Sequence, residues 1–207
     1  MRNAFPSADA DPGGHPNLLM VTSARPGEGK SFTALNLAAS VALQGDHPVL
    51  LVDADAKERS LSATVGLREA LGLLDLAAET GLDAARLEHP TALDGLSILP
   101  IGRARAHDAD LLASRSVAQL LHGLARRQAG RLVILDVPPC LASSDPGALA
   151  PAVGQTIFVV EAEGTQRGEV EAALDLIQDC PAIALVLNRM WPGGGHAFGG
   201  YAPYAAS

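Results

Sequence analysis

The sequence is poor in cysteine and in basic charge, and each shortage excludes a class of protein. The two cysteines, Cys140 and Cys180, form no C-x-x-C pair and have no histidine at a metal-ligand spacing, so neither a disulfide framework nor a zinc site is supported. The net charge is -8 and the six histidines are scattered, whereas a nucleic-acid surface needs a concentrated basic stripe. We therefore expect no nucleic-acid partner.

Long apolar runs are also missing. No stretch approaches the ~18 consecutive apolar residues of a membrane span, and the N-terminus lacks a basic region followed by an apolar core. We therefore expect a soluble protein in the reducing cytoplasm. The 207 residues suffice for one good-sized α/β domain. From composition, we expect a flexible N-terminal segment over 1–16, a folded domain over 17–191 and a flexible C-terminal tail over 192–207.

Short apolar runs alternate with segments of helical pattern along the chain. The runs are continuous, as in strands buried on both faces. The predicted strands are Leu18–Val21, Val49–Val52, Ile98–Ile101, Leu132–Leu135, Ile157–Val160 and Ile183–Leu187, and the predicted helices are Phe32–Gln44, roughly Ala109–Gln128, and Gln166–Asp179. This alternation predicts an α/β fold, a doubly wound and mostly parallel sheet with helices on both faces.

The segment between the first strand and the first helix reads ARPGEGKS, from Ala24 to Ser31. Small residues let backbone N–H groups curl around a polyphosphate, Lys30 adds a charge toward the β- and γ-phosphates, and the Ser31 hydroxyl can bind Mg²⁺. The helix that follows directs its positive end at the same anion. We predict a phosphate-binding loop, although Ala24 stands where the pattern has its first glycine. The predicted nucleotide-binding residues here are Ala24, Arg25, Pro26, Gly27, Glu28, Gly29, Lys30, Ser31 and Phe32.

Acidic residues end two of the predicted strands. Asp136 follows the apolar run VIL, and Asp53 and Asp55 follow VLLV. The carboxyl edge of a doubly wound sheet is where ligands bind. Either acidic site alone is equally typical of a helix cap, but with a phosphate loop nearby they indicate Mg²⁺ binding and phosphoryl transfer.

These motifs together resemble one family. The segments VTSARPGEGKSFTALNLA, VLLVDAD, DLLAS, VILDVPP and LVLNR occur in the order and spacing of the bacterial protein-tyrosine kinases of exopolysaccharide and capsule synthesis. More narrowly, the chain is similar to the tyrosine autokinases associated with exosortase-type polysaccharide loci. The resemblance implies a P-loop fold, ATP and Mg²⁺ as cofactors, and a C-terminal tyrosine cluster as substrate.

The same resemblance assigns roles to residues. Ala24 to Ser31 correspond to the Walker A loop, Asp53 and Asp55 to the additional Walker A′ motif, and Asp136 to Walker B. Ser31, Asp55 and Asp136 are then the expected Mg²⁺ ligands, with Lys30, Asp53 and Asp55 as catalytic residues. Asn188 matches the position that contacts adenine.

The distribution of tyrosines fits this interpretation. The chain has two tyrosines, Tyr201 and Tyr204, and both lie in its last seven residues. We predict that they are phosphoacceptors on a tail able to enter a neighbouring active site. A phenol has a pKa of ~10, so a carboxylate must accept its proton during transfer, and Asp53 is the best candidate.

The sequence departs from the family pattern at several points. Val137 stands where a Ser or Thr usually follows the Walker B Asp, Arg59 replaces a Pro, and 1–17 contains no upstream helix with regularly spaced Glu and Arg. That helix builds a ring-shaped oligomer in the family, so a homo-oligomer is possible here but not indicated.

The resemblance also implies partners and a location. The expected activator is a membrane-anchored regulator of polysaccharide chain length, which would hold the chain at the inner membrane from the cytoplasm. A cognate tyrosine phosphatase is expected to reverse the reaction.

Two other functions remain open from the sequence. P-loop ATPases that position chromosomes or division sites share Walker A′, but they carry a signature Lys where this chain has Arg25 and then Pro26. A nucleotide-binding regulatory scaffold with little kinase turnover is the other alternative. An iron-sulfur ATPase is suggested only by Cys140, which is more often a small core residue.

Overall fold

The computed structural model describes residues 15–56, 60–79, 81–103, 112, 114–127 and 130–190. Its strands are β1 (His15–Ser23), β2 (Val49–Asp53), β3 (His89–Pro90), β4 (Leu96–Leu99), β5 (Leu132–Asp136), β6 (Val153–Glu161) and β7 (Ile183–Asn188). They form one sheet in the order β3-β4-β2-β5-β1-β6-β7, in which β3 runs antiparallel to β4 and the other pairs are parallel. The predicted doubly wound, mostly parallel sheet is confirmed.

Helices cover both faces of this sheet. They are α1 (Lys30–Gln44), α2 (Leu61–Thr64), α3 (Leu73–Ala78), α4 (Ala84–Leu87), α5 (Arg115–Arg126), α6 (Asp145–Leu149) and α7 (Arg167–Asp175), and a 3₁₀ turn spans Ala150–Ala152. Helix α1 packs Ala34, Ala38 and Ala42 into the apolar cluster on one face. Helices α5 and α7 pack Val117 and Ala173 into a larger cluster on the other face. These two layers bury β1, β2 and β5, which explains their continuous apolar runs.

Strand register brings the predicted functional residues to one edge. In the strand register, Asp53 at the end of β2 is paired with Asp136 at the end of β5, and Asp136 is also paired with Val21 of β1. The loop that follows β1 therefore starts beside both acidic strand ends.

Several boundaries differ from those predicted. The strand predicted at Ile98–Ile101 lies at Leu96–Leu99. Pro100 has no N–H for the ladder, and its carbonyl accepts a hydrogen bond from Leu73 of α3 instead, at 2.8 Å. Strand β1 begins at His15, two residues before the predicted start of the domain.

The helix boundaries also differ. Helix α7 ends at Asp175 rather than Asp179. Helix α5 covers the second half of the helix predicted at 109–128, and 104–111 lie outside the described residues. The short helices α2, α3, α4 and α6 were not predicted, because four to six residues are too few to show a helical period.

Candidate active site

The loop between β1 and α1 has the backbone shape of a phosphate-binding loop. Gly27 and Gly29 have φ of 91° and 99°, in the left-handed region that favours glycine. A Cβ on Gly29 would also lie 2.1 Å from Nδ2 of Asn188. Helix α1 begins at Lys30, immediately after this loop, so its free N–H groups point at the same place.

Lys30 lies between the acidic ends of the two neighbouring strands. Its Nζ is 2.6 Å from Asp55 and 3.4 Å from Asp136, and the side chain is nearly buried. Burial alone would lower the pKa of Lys30, but the nearby charges of Asp136 and Asp55 raise it overall. The same Nζ is 3.1 Å from the Ser31 hydroxyl. The structure thus brings together Ser31, Asp55 and Asp136, the three residues predicted to hold Mg²⁺.

The buried carboxylate of Asp136 is only partly compensated by Lys30. Burial raises the pKa of its carboxyl to about 6, against the opposing effect of Lys30, and Asp53 and Asp55 raise it further. Its Oδ2 is buried without a hydrogen-bond partner among the described residues. A buried carboxylate oxygen with free lone pairs fits a divalent cation. The donor set therefore suits Mg²⁺.

The remaining ligands of a bound Mg²⁺ would have to come from elsewhere. Within the described ranges, no three or more His, Cys, Asp or Glu side chains are grouped so that they could hold a metal. Mg²⁺ usually takes one or two carboxylates and completes its shell with phosphate oxygens and water. Asp55 and Asp136 supply this number of carboxylates, so the residues present fit a Mg²⁺ ion that would complete its shell in this way.

Asp53 has a different environment from Asp55. Its fully buried carboxylate accepts hydrogen bonds from the Ser62 N–H at 2.7 Å, the Ser62 hydroxyl at 2.5 Å and the Asp55 N–H at 3.1 Å. Burial raises the pKa of Asp53, and the hydrogen bonds from Ser62 partly offset this. Ser62 was missed from the sequence, although Ser60, which caps α2, marks a helix start close by.

Two of the residues predicted to bind nucleotide make hydrogen bonds within the protein. Asn188, predicted to contact adenine, donates its side-chain amide to the Glu28 carbonyl at 2.8 Å. The Glu28 carboxylate accepts hydrogen bonds from the Arg25 N–H at 2.7 Å and from the Thr165 hydroxyl. Thr165 was not identified from the sequence, because 137 residues separate it from Glu28.

The other predicted loop residues vary in exposure. Ala24, which stands where the pattern has its first glycine, is buried. The Arg25 guanidinium is 3.2 Å from Glu169 of α7. Phe32 is 69% exposed on the first turn of α1.

Val137, which replaces the Ser or Thr that usually follows the Walker B Asp, is buried in the apolar cluster that includes residues of α5. This side chain therefore contributes to the core.

Some predictions concern residues that are not described. Tyr201, Tyr204, Arg59 and the segment 1–14 all lie outside the described residues. In the part of the chain that is described, no helix is both long and apolar enough to cross a membrane.

Comparison with known proteins finds several bacterial tyrosine-protein kinases that are similar to this chain. The tyrosine-protein kinase YwqD of Bacillus subtilis is 31% identical over 172 residues, which are 81% of this chain and 69% of that protein. Tyrosine-protein kinase wzc of Salmonella typhimurium is 32% identical over 158 residues, 76% of this chain but 21% of that protein. The kinase domain of Escherichia coli tyrosine kinase ETK superposes with a TM-score of 0.75 at 25% identity, covering 90% of this chain and 73% of that one.

Two further findings concern how much of each relative is matched and how similar a more distant protein is. The chain spans 25% of the length of two relatives from Ralstonia, and no protein-family model matches it. The MinC:MinD complex of Aquifex aeolicus matches with a TM-score of 0.63 but 20% identity, over 84% of this chain and 68% of that one, which shows a shared P-loop NTPase fold alone.

Proposed function

Because this chain belongs to the bacterial tyrosine-protein kinases, we propose that it transfers the γ-phosphate of ATP to protein tyrosines, with its own Tyr201 and Tyr204 as acceptors. The observation that carries the proposal is the cluster of Lys30, Asp55 and Asp136 at the end of the phosphate loop. Phosphoryl transfer requires a loop that binds phosphate, a cation beside the transferred group and paired carboxylates.

The proposed roles follow from the position of each side chain. Lys30 holds the β- and γ-phosphates and leaves its ion pair with Asp55 to do so. Ser31, Asp55 and Asp136 would hold Mg²⁺, which would neutralise charge on the phosphates. The free Oδ2 of Asp136 supports this assignment.

The acceptor must lose a proton during transfer. A bond forms between the tyrosine oxygen and the γ-phosphorus, the bond to the leaving ADP oxygen breaks, and the phenolic proton passes to a carboxylate. We assign that carboxylate to Asp53, whose pKa is raised by burial. Its hydrogen bonds with Ser62 would hold its orientation during the reaction.

Partners and location are proposed from the family alone. We propose that a membrane-anchored regulator of polysaccharide chain length activates the kinase at the cytoplasmic face of the inner membrane, and that a tyrosine phosphatase reverses its product. Activation requires that this regulator bind the competent state more tightly than the other. Regulation of exopolysaccharide synthesis and export is the proposed outcome.

Mass spectrometry of the intact chain after incubation with Mg·ATP tests this function. The expected product carries one or two phosphates, which are located on Tyr201 and Tyr204 by fragmentation and are absent from the Tyr201→Phe, Tyr204→Phe variant. ADP release without phosphotyrosine would instead favour an ATPase of the partitioning or division-site kind. Nucleotide binding without either product would favour a regulatory scaffold.

A further inference from the structure

Glu28 is a buried acidic side chain in the middle of a loop that is shaped to bind an anion. It is 1% exposed, and it lies between Gly27 and Gly29, both with left-handed φ. A carboxylate so placed is unfavourable unless hydrogen bonds compensate its desolvation. Its surroundings therefore indicate what it does.

The carboxylate has one partner inside the loop and one outside it. Oε2 accepts the Arg25 N–H at 2.7 Å and so joins the two ends of the turn Arg25–Glu28. Oε1 accepts the hydroxyl of Thr165, in the turn between β6 and α7. Hydrogen bonds to a charged acceptor are the stronger kind, which suits a fixed contact.

The backbone of the same residue is held from a third direction. Asn188, the last residue of β7, donates its amide to the Glu28 carbonyl at 2.8 Å. The side chain of Glu28 is thus held by the turn after β6, and its main chain by the last residue of β7. The two flanking glycines would otherwise leave this residue with many backbone conformations.

We propose that Glu28 is a positioning residue that holds the phosphate loop in its binding shape, and that Thr165 is the anchor for its carboxylate. This inference rests on the proposed nucleotide-binding function. The loop N–H groups then converge on the phosphates without first losing conformational freedom, and that preorganisation raises affinity. Glu28 contributes to binding without touching the nucleotide.

Calorimetric titration of the full chain with Mg·ADP tests the proposal. Thr165→Val keeps the side-chain shape but removes the donor, so the dissociation constant should rise about tenfold. Thr165→Ser restores the hydroxyl and should bind within about twofold of wild type. The matched control is Thr91→Val near β3, whose hydroxyl donates to the Leu93 carbonyl at 3.2 Å, away from the phosphate loop, and it should bind as wild type does.

A double-mutant cycle separates positioning from a general loss of stability. If the two residues act through one contact, Glu28→Ala with Thr165→Val should bind no more weakly than Glu28→Ala alone. Independent, multiplying losses would overturn the proposal, as would wild-type affinity in Thr165→Val. Thermal melts with and without Mg·ADP supply the second readout. A merely structural role would lower both melting temperatures equally, whereas positioning also reduces the difference between them.

The outcomes also distinguish this inference from the proposed function. A wild-type chain that binds no nucleotide overturns both. A chain that binds Mg·ADP in a Thr165-dependent way but phosphorylates no tyrosine supports the inference and overturns the kinase assignment.

Discussion

The buried carboxylate of Asp136 should destabilise the fold at neutral pH when Mg²⁺ is absent. Its pKa is raised from 3.8 to about 6, chiefly by burial. A difference of this size corresponds to about 3 kcal/mol between the charged and neutral forms. Asp136→Asn keeps the shape and removes the charge, so we expect it to raise the free energy of unfolding by up to about 3 kcal/mol at pH 7.5.

The pH dependence of this effect has a definite sign. Because the folded state holds the Asp136 proton more tightly than the unfolded state, its stabilising contribution is complete below about pH 4. That contribution is lost as the pH rises through about 6. Wild type and Asp136→Asn should therefore be about equally stable at pH 4 and should diverge up to about pH 6.

Urea unfolding in EDTA, followed at pH 4 and at pH 7.5, measures this difference. Asp75→Asn is the control, because that buried carboxylate accepts N–H groups of Gly72 and Arg103 and its replacement should destabilise the fold. Mg·ADP at 1,000 times the dissociation constant should reverse the order at pH 7.5, since binding then adds about 4.1 kcal/mol to the form that retains the site. A less stable Asp136→Asn in EDTA at pH 7.5 would refute the reasoning.

Three other variants test separate contacts. Lys30→Met should lower tyrosine phosphorylation by orders of magnitude, because it removes the cation expected at the β- and γ-phosphates. It should also lower the free energy of unfolding, because Asp55 and Asp136 lose their cationic partner. Unchanged phosphorylation in a radiolabel assay would disprove the site assignment. Asp53→Asn should lower the rate of phosphate transfer more than it lowers the affinity for Mg·ATP. If calorimetry showed mainly a loss of affinity, the roles assigned to Asp53 and Asp136 would have to be exchanged. Glu88→Gln removes the charge that pairs with the nearly buried Arg131, and it should lower the free energy of unfolding by about 3 kcal/mol in a urea titration. A loss below about 0.5 kcal/mol would mean that water screens the ion pair as it does at an exposed surface.

The residues that could be predicted carry their information locally. The order ARPGEGKS between an apolar run and a helix predicts a phosphate loop, and Asp53 and Asp136 end strands whose apolar runs are continuous. Parallel pairing then requires these ends to meet at one edge of the sheet. For that reason the fold class and the Lys30 cluster could be predicted without coordinates.

What could not be predicted depends on contacts between distant segments. The bond from Thr165 to Glu28 joins residues 137 apart, and nothing in either local pattern marks it. Ser62 lies 9 residues after Asp53, but its contact needs the short helix α2, which shows no period. The structure adds that Asp55 lies beside Lys30 whereas Asp53 is hydrogen-bonded to Ser62, a difference in contacts that neither local pattern shows.

We propose that the phosphate loop and its acidic edge transfer the γ-phosphate to tyrosine. The most direct measurement incubates the chain with Mg·ATP labelled at either the γ- or the α-phosphate and follows the label to phosphotyrosine. We predict label on tyrosine from γ-labelled ATP, none from α-labelled ATP, and none with Lys30→Met. Release of labelled inorganic phosphate without labelled tyrosine would contradict the claim.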